Sequence, residues 1–132
     1  MIVLDTSAVI ALLNAEPEAP AMEAALAATR DRHIGAATLV ETTMVASRWG
    51  DAVATAGVDA LLAALQVEIV AFDAAQSVVA REAFLKFGKG RGHRAQLNLS
   101  DCFSYALAKT LDAPLLFKGR DFSKTDVKRA IS

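Results

Sequence analysis

Four acidic residues stand where an apolar run meets a polar turn: Asp5 in MIVLDTSAVIALL, Glu41 in ATLVETTMV, Asp101 in LNLSDCFSYALAK and Asp121 in PLLFKGRDF. Carboxylates are the hard oxygen donors that Mg²⁺ and Mn²⁺ prefer. Gathered without a counter-charge, four of them would raise one another's pKa and strain the fold. A divalent cation relieves that repulsion. Two such ions about 4 Å apart can flank a phosphodiester, one activating water and one stabilising the leaving oxygen. Asn or Gln would offer the oxygen without the charge.

Each acid also has a simpler reading. Asp5 can cap the helix that follows it, and Glu41 completes the pattern Thr38-x-x-Glu41 of a capping box. Asp101 suits the positive end of a helix dipole, and Asp121 suits a turn. The joint reading therefore depends on a topology that brings all four to one place.

The elements that would position them alternate along the chain. Ile2 to Leu4 is uniformly apolar and reads as a strand buried on both faces. Ser7 to Leu13 reads as a helix, NAEPEAP as a loop punctuated by Pro17 and Pro20, and Met22 to Thr29 as a second helix. His33 to Ala36 is a second strand. Thr38 opens a helix to Trp49 that Gly50 ends, and another helix runs from Asp51 to Leu65. Val67 to Phe72 is a third strand, and Asp73 caps a helix to Phe87. GKGRGHRAQLN is a loop, Ser100 opens a helix to Leu111, and Leu115 to Phe117 is a fourth strand. A last strand near Lys128 to Ile131 would make five.

This alternation predicts an α/β fold with a mostly parallel sheet of four to five strands, because parallel neighbours need helical crossovers. Ligands of such sheets bind beyond the carboxyl ends of the strands. Asp5, Glu41 and Asp121 each follow a strand at that end. Asp101 joins them if its helix starts on the same rim.

The bulk properties bound the answer. A chain of 132 residues, 54% hydrophobic, suits one domain spanning 1–132 with a sizeable core. A net charge of −1 points to no partner. One cysteine excludes an internal disulfide and fits a reducing cytosol. No basic segment precedes the first apolar run, and no stretch nears the roughly 20 apolar residues that cross a bilayer. A cytoplasmic protein without a membrane anchor is expected.

Basic residues cluster twice. Lys89, Arg91 and Arg94 lie in the glycine loop, and Lys118 and Arg120 flank Gly119. All five are candidates to steer a polyanion and hold its phosphates. The glycines match neither a P-loop nor a dinucleotide fingerprint. His33 and His93 lack zinc spacing. Cys102, Trp49, Phe84 and Phe103 are assigned to the core.

In this order and spacing, the four acid-bearing blocks resemble PIN-domain ribonucleases. More narrowly, they resemble the VapC toxins of prokaryotic toxin–antitoxin pairs, and the likeness spans nearly the whole chain. The resemblance implies a three-layer α/β/α sandwich and a Mg²⁺- or Mn²⁺-dependent endoribonuclease. Asp5, Glu41, Asp101 and Asp121 would form its acidic metal site, with Thr6 and Ser7 behind them. It also implies a homodimer and a small antitoxin that occludes the cleft. Many relatives carry Thr and Asp where this chain has Phe117 and Gly119. Asp121 is then the only acid kept in its block, with Asp126 as a substitute.

The expected reaction is attack of a metal-activated water on an RNA phosphodiester, leaving a 5′-phosphate and a 3′-hydroxyl. Asp5 and Asp101 would bind the main ion, Glu41 would bind or orient the water, and Asp121 would complete the site. Two rival classes are a regulator phosphorylated on Asp5 and a module that grips nucleic acid or protein without cutting. Against the first, residue 7 is serine, where phosphoaspartate hydrolases carry a second aspartate.

Overall fold

The computed structural model describes residues 1–131. Its elements are β1 (Ile2–Leu4), α1 (Thr6–Leu13), α2 (Ala19–Ala27), β2 (Arg32–Gly35), α3 (Ala36–Ala46), α4 (Val58–Ala64), β3 (Glu68–Val70), α5 (Ala74–Phe87), α6 (Leu99–Thr110) and β4 (Leu115–Leu116). The strands form one sheet in the order β3-β2-β1-β4, and every pairing is parallel.

Side-chain alternation along the strands divides the interior into two cores. Ile2, Leu4, Ile34 and Leu116 face a cluster built with Val9, Met22, Leu26, Val58 and Leu62. Val3 and Leu115 face the opposite cluster, which holds Ala83, Phe87, Tyr105 and Leu107 from α5 and α6. The architecture is thus three layers, α/β/α. Burial of each large aliphatic side chain contributes about 1.5–3 kcal/mol. A slip of one residue in β1 would exchange its two faces, so the register is strongly specified.

Arg32 ties the lower part of one helical layer to the sheet. Its Nε and Nη2 donate to Leu26 O at 3.1 and 2.7 Å, Nε also reaches Thr29 O at 3.0 Å, and Nη1 donates to Leu65 O at 2.7 Å. One planar guanidinium therefore satisfies carbonyls at the carboxyl ends of both α2 and α4.

Several elements differ from their sequence-based bounds. Helix α2 begins earlier, at Ala19, because Pro20 sits in its first turn, where a missing N–H costs nothing. The helix expected from Asp51 to Leu65 is interrupted by a π turn over Val53–Gly57 before α4 begins. Strand β3 keeps only three residues, since its sole neighbour β2 supplies His33, Ile34 and Gly35 as partners before turning into α3. The expected fifth strand reduces to one parallel bridge between Leu115 and Arg129, with Leu115 N–H donating to Lys128 O at 2.8 Å.

Cys102 is buried, as expected. Trp49 and Phe84 are not core residues, being 49% and 40% exposed. Trp49 lies in a short 3₁₀ turn beyond α3, outside both clusters, and Phe84 is on the outer side of α5. No helix among the described residues is long and apolar enough to cross a membrane.

Candidate active site

Asp5 leaves the sheet with its amide still bonded to Leu116 O at 3.0 Å. Its extended backbone makes it the N-cap of α1, and its carboxylate does more than cap. Oδ2 accepts from the Ser7 amide at 3.0 Å and from Ser7 Oγ at 2.6 Å. Oδ1 accepts from Ser104 Oγ at 2.6 Å. The side chain is almost wholly buried, yet both oxygens are held by donors, so its direction is set from two sides. Ser7 in turn accepts from the Lys118 amide at 3.0 Å, which fastens the segment after β4 to the start of α1.

Thr6 has a different task from Ser7. Its hydroxyl lies 2.9 Å from Thr42 Oγ1 and 3.3 Å from Thr38 O, so it clamps α1 onto α3. Thr38 Oγ1 also meets Ser104 Oγ at 3.3 Å. A buried hydroxyl network therefore joins α1, α3 and α6, the helix following Asp5 and the two helices that carry Glu41 and Asp101. Thr42 and Ser104 are the members that sequence reading missed. The signal for Ser104 was a small hydroxyl one turn after Asp101, on the helix face it shares with Leu107 and Ala108.

Helix α3 starts at Ala36 with Gly35 as its N-cap, so the capping box proposed for Thr38 and Glu41 does not form. Thr38 is already helical, and its hydroxyl turns inward. Glu41 is left free of any capping bond. The capping box occurs instead at α6. Asn98 Oδ1 accepts from the Asp101 amide at 2.9 Å, and Asp101 Oδ2 accepts from the Asn98 amide at 3.0 Å. Asp101 thus spends one oxygen on its helix, and Asn98 rather than Ser100 opens α6.

Asp5, Glu41, Asp101 and Asp121 all line one open cavity of about 300 Å³, together with Thr6, Ser7, Glu16 and Lys118. Five acids and one lysine face this space. Burial first, then the charges of Asp5, Asp121 and Glu41, together raise the Asp101 carboxyl to about 7 against the lowering effect of the Asn98 amide. Lys118 bonds to Glu16 and lies 3.4 Å from Glu18, so its charge is already engaged at the cavity's edge.

Asp126 does not join this group. Its carboxylate accepts from Tyr105 Oη at 2.5 Å and from Lys109 Nζ at 3.2 Å, and the tyrosine hydroxyl holds it below its ordinary range. It is engaged outside the acidic cavity, so of these two acids only Asp121 lines that space. Lys89, Arg91 and Arg94 do not line it either. Their loop is folded back, with Lys89 N–H on Leu97 O at 2.9 Å and His93 edge-on to Phe87. Gly88 opens that loop because any Cβ there would collide with the Phe84 carbonyl. Arg120 is exposed beside a neighbouring cavity.

The donors fit a hard divalent cation, being carboxylates with hydroxyls behind them. No three His, Cys, Asp or Glu side chains among the described residues are close enough to coordinate one ion together. An open cavity of this kind suits Mg²⁺, which takes one or two protein carboxylates and keeps water for the rest. A thiol nucleophile is disfavoured, because burial, with Asp101 beside it, pushes Cys102 up to about 11.

The chain matches the PIN domain family over residues 2–128. It is 48% identical over 126 residues to a ribonuclease VapC of Mycolicibacterium smegmatis, covering 95% of this chain and 96% of that protein. Among solved structures it resembles VapC20 of Mycobacterium tuberculosis, described as a sarcin–ricin loop cleaving toxin. The TM-score is 0.76 at 19% identity, covering 96% of both chains. It also resembles a chain of a toxin–antitoxin complex from Klebsiella pneumoniae, with a TM-score of 0.69 at 18% identity, covering 96% of this chain and 93% of that one. The two structural likenesses speak for the fold, and the sequence matches carry the kinship: this chain belongs to the PIN domain family and, within it, to the VapC ribonucleases.

Proposed function

We propose that this protein is an endoribonuclease toxin that hydrolyses RNA phosphodiesters at the acidic cavity with the help of Mg²⁺ or Mn²⁺. One observation carries the reading: four carboxylates from four separate segments line a single cavity, and their crowding with burial lifts Asp101 to about 7. Such repulsion is a standing cost unless a cation or a proton offsets it.

Asp5 and Asp101 would hold the main ion. Glu41 would bind or orient the attacking water, and Asp121 would complete the site. The cation would supply charge to activate water and to stabilise the phosphate and the leaving oxygen. The chain's own contribution is alignment. Ser7 and Ser104 hold the Asp5 carboxylate from both sides, and the Asn98 amide holds one oxygen of Asp101. Thr6 keeps α1 and the Glu41-bearing helix at a constant spacing. Metal ligands must be deprotonated, so Asp101 would have to give up its proton to hold a cation. The products would carry a 5′-phosphate and a 3′-hydroxyl.

The chain would act as a homodimer in the cytoplasm and be silenced by a small antitoxin that covers the cavity. The toxin–antitoxin complex among its structural neighbours supports the partner class. Cleavage of structured RNA in Mg²⁺, in EDTA, and by Asp5→Asn and Asp101→Asn variants tests the reading. Loss of at least about 100-fold, or about 2.7 kcal/mol of transition-state stabilisation, is expected in each deficient arm. Equal activity in all arms would overturn it. Tight RNA binding by metal-loaded protein without any cleavage would favour the non-cutting alternative.

A further inference from the structure

Beside the acidic cavity lies a second one of about 510 Å³ that shares Lys118 as a common wall. Its character is the reverse of its neighbour's. Arg120 and Arg129 line it, and neither guanidinium has an ion-pair partner among the described residues. Arg129 donates one bond to Ser123 O at 3.0 Å, which orients its planar fork while leaving other N–H groups free. Its acidic member, Glu18, faces Lys118 at 3.4 Å. The remaining wall is apolar, formed by Met22, Phe117 and Ile131.

Two segments of the chain converge to build this space. Gly119, at φ +103, turns the chain after β4 so that Lys118 and Arg120 stand on either side of it. The C-terminal segment returns alongside Leu115, with Ala130 N–H on Leu115 O at 3.0 Å, and so delivers Arg129 to the same place. Unpaired guanidiniums recognise phosphate through two parallel bonds, and an apolar wall beside them suits a ribose or base.

We propose that this cavity is a subsite for a nucleotide of the RNA strand next to the scissile bond, with Arg120 and Arg129 on its phosphate and Phe117 beside its sugar or base. The proposal rests on the ribonuclease reading and refines it. It places the polyanion track at the β4 end, and it adds Arg129, which the sequence motifs did not single out.

The test uses fluorescence anisotropy of a labelled short single-stranded oligoribonucleotide with the full chain in EDTA, titrated over a range of NaCl. For the Arg120→Ala/Arg129→Ala variant, affinity should fall about tenfold or more. The slope of log affinity against log salt should shrink by about 0.7, for the one phosphate no longer neutralised. The Arg30→Ala/Arg48→Ala variant removes the same charge from exposed positions elsewhere and should leave the slope unchanged. The Arg120→Lys/Arg129→Lys variant should restore the slope. A wild-type slope in the double alanine variant, or an equal loss in the Arg30/Arg48 control, would overturn the subsite. Thermal melts confirm that each variant is folded. Repeating the series in Mg²⁺ separates the two ideas. If the wild type binds with this slope but never cuts, the ribonuclease reading fails and the subsite stands. If the double alanine variant cuts with unchanged KM, the subsite fails and the reading stands.

Discussion

The two edges of the parallel sheet treat charge in opposite ways. At the amino edge, polar groups find partners, apart from Nδ1 of His33, which is buried without a hydrogen bond. Arg32 makes four hydrogen bonds to carbonyls, and buried His33 sits between Asp31 at 2.8 Å and Glu68 at 3.5 Å. At the carboxyl edge, Asp5, Glu16, Glu41, Asp101 and Asp121 share one cavity with a single lysine, and Asp101 rises to about 7. The first edge is built to hold helices α2 and α4 in place. The second carries electrostatic strain that only an added cation or proton relieves. The difference teaches that stability and chemistry occupy opposite ends of the same strands, as parallel α/β sheets generally arrange them.

The strongest way to sharpen this contrast is to replace one acid. Asp101→Asn should lower RNA cleavage about 10³-fold, close to 4 kcal/mol, while leaving the metal-free protein as stable as the wild type or more so. Cleavage assays paired with urea melts would show it. A loss of stability with retained activity would mean that Asp101 acts as a helix cap alone. Arg32→Ala should do the reverse. Stranding four carbonyl bonds at two helix ends should cost about 2–4 kcal/mol in urea denaturation, with cleavage per folded molecule little changed.

The pH response of the carboxyl edge is the next smaller effect. Asp101 titrates near 7 in the folded chain against an ordinary value of 3.8. A group that holds its proton more tightly when folded favours the fold below about pH 4, and this contribution is lost as pH rises through 7. The cavity is partly open, so screening reduces the effect to about 1–2 kcal/mol. Metal-free melts from pH 4 to 8 should therefore show the wild type losing stability relative to Asp101→Asn, and saturating Mg²⁺ should remove the difference. Parallel curves for the two proteins would contradict the crowding argument.

Ser104→Ala is the finest probe. It frees one side of the Asp5 carboxylate and leaves a buried acceptor short of a donor, at about 1 kcal/mol. A fall in kcat of about tenfold with little change in KM is expected, since Ser104 positions Asp5 without lining the cavity. An effect confined to thermal stability would make the serine a packing residue only.

Much of this was legible in the chain itself. The alternation of apolar runs and helical periods is a local property, so β1, α1, α5 and α6 stand close to where the sequence puts them. Asp5, Glu41, Asp101 and Asp121 stood out because carboxylates interrupt apolar runs after a strand or at the start of a helix. Other features were invisible for physical reasons. Helix α3, which carries Glu41, starts at Ala36 because β2 runs directly into it through Gly35, so Thr38 is already helical, and a capping pattern alone cannot reveal that. The bond from Ser104 to Asp5 joins residues at opposite ends of the chain, a pairing that exists only once α6 packs on β1. Asp126 and Asp121 have the same chemistry five positions apart, and only the folded C-terminal segment sends one to Tyr105 and the other to the cavity. The sequence by itself therefore determined which residues could do chemistry and the layers that carry them, because residue type and periodicity are written locally. The tertiary structure alone decided which acids meet, what holds them, and which cations stand beside them, because those are distances between segments that share no local signal.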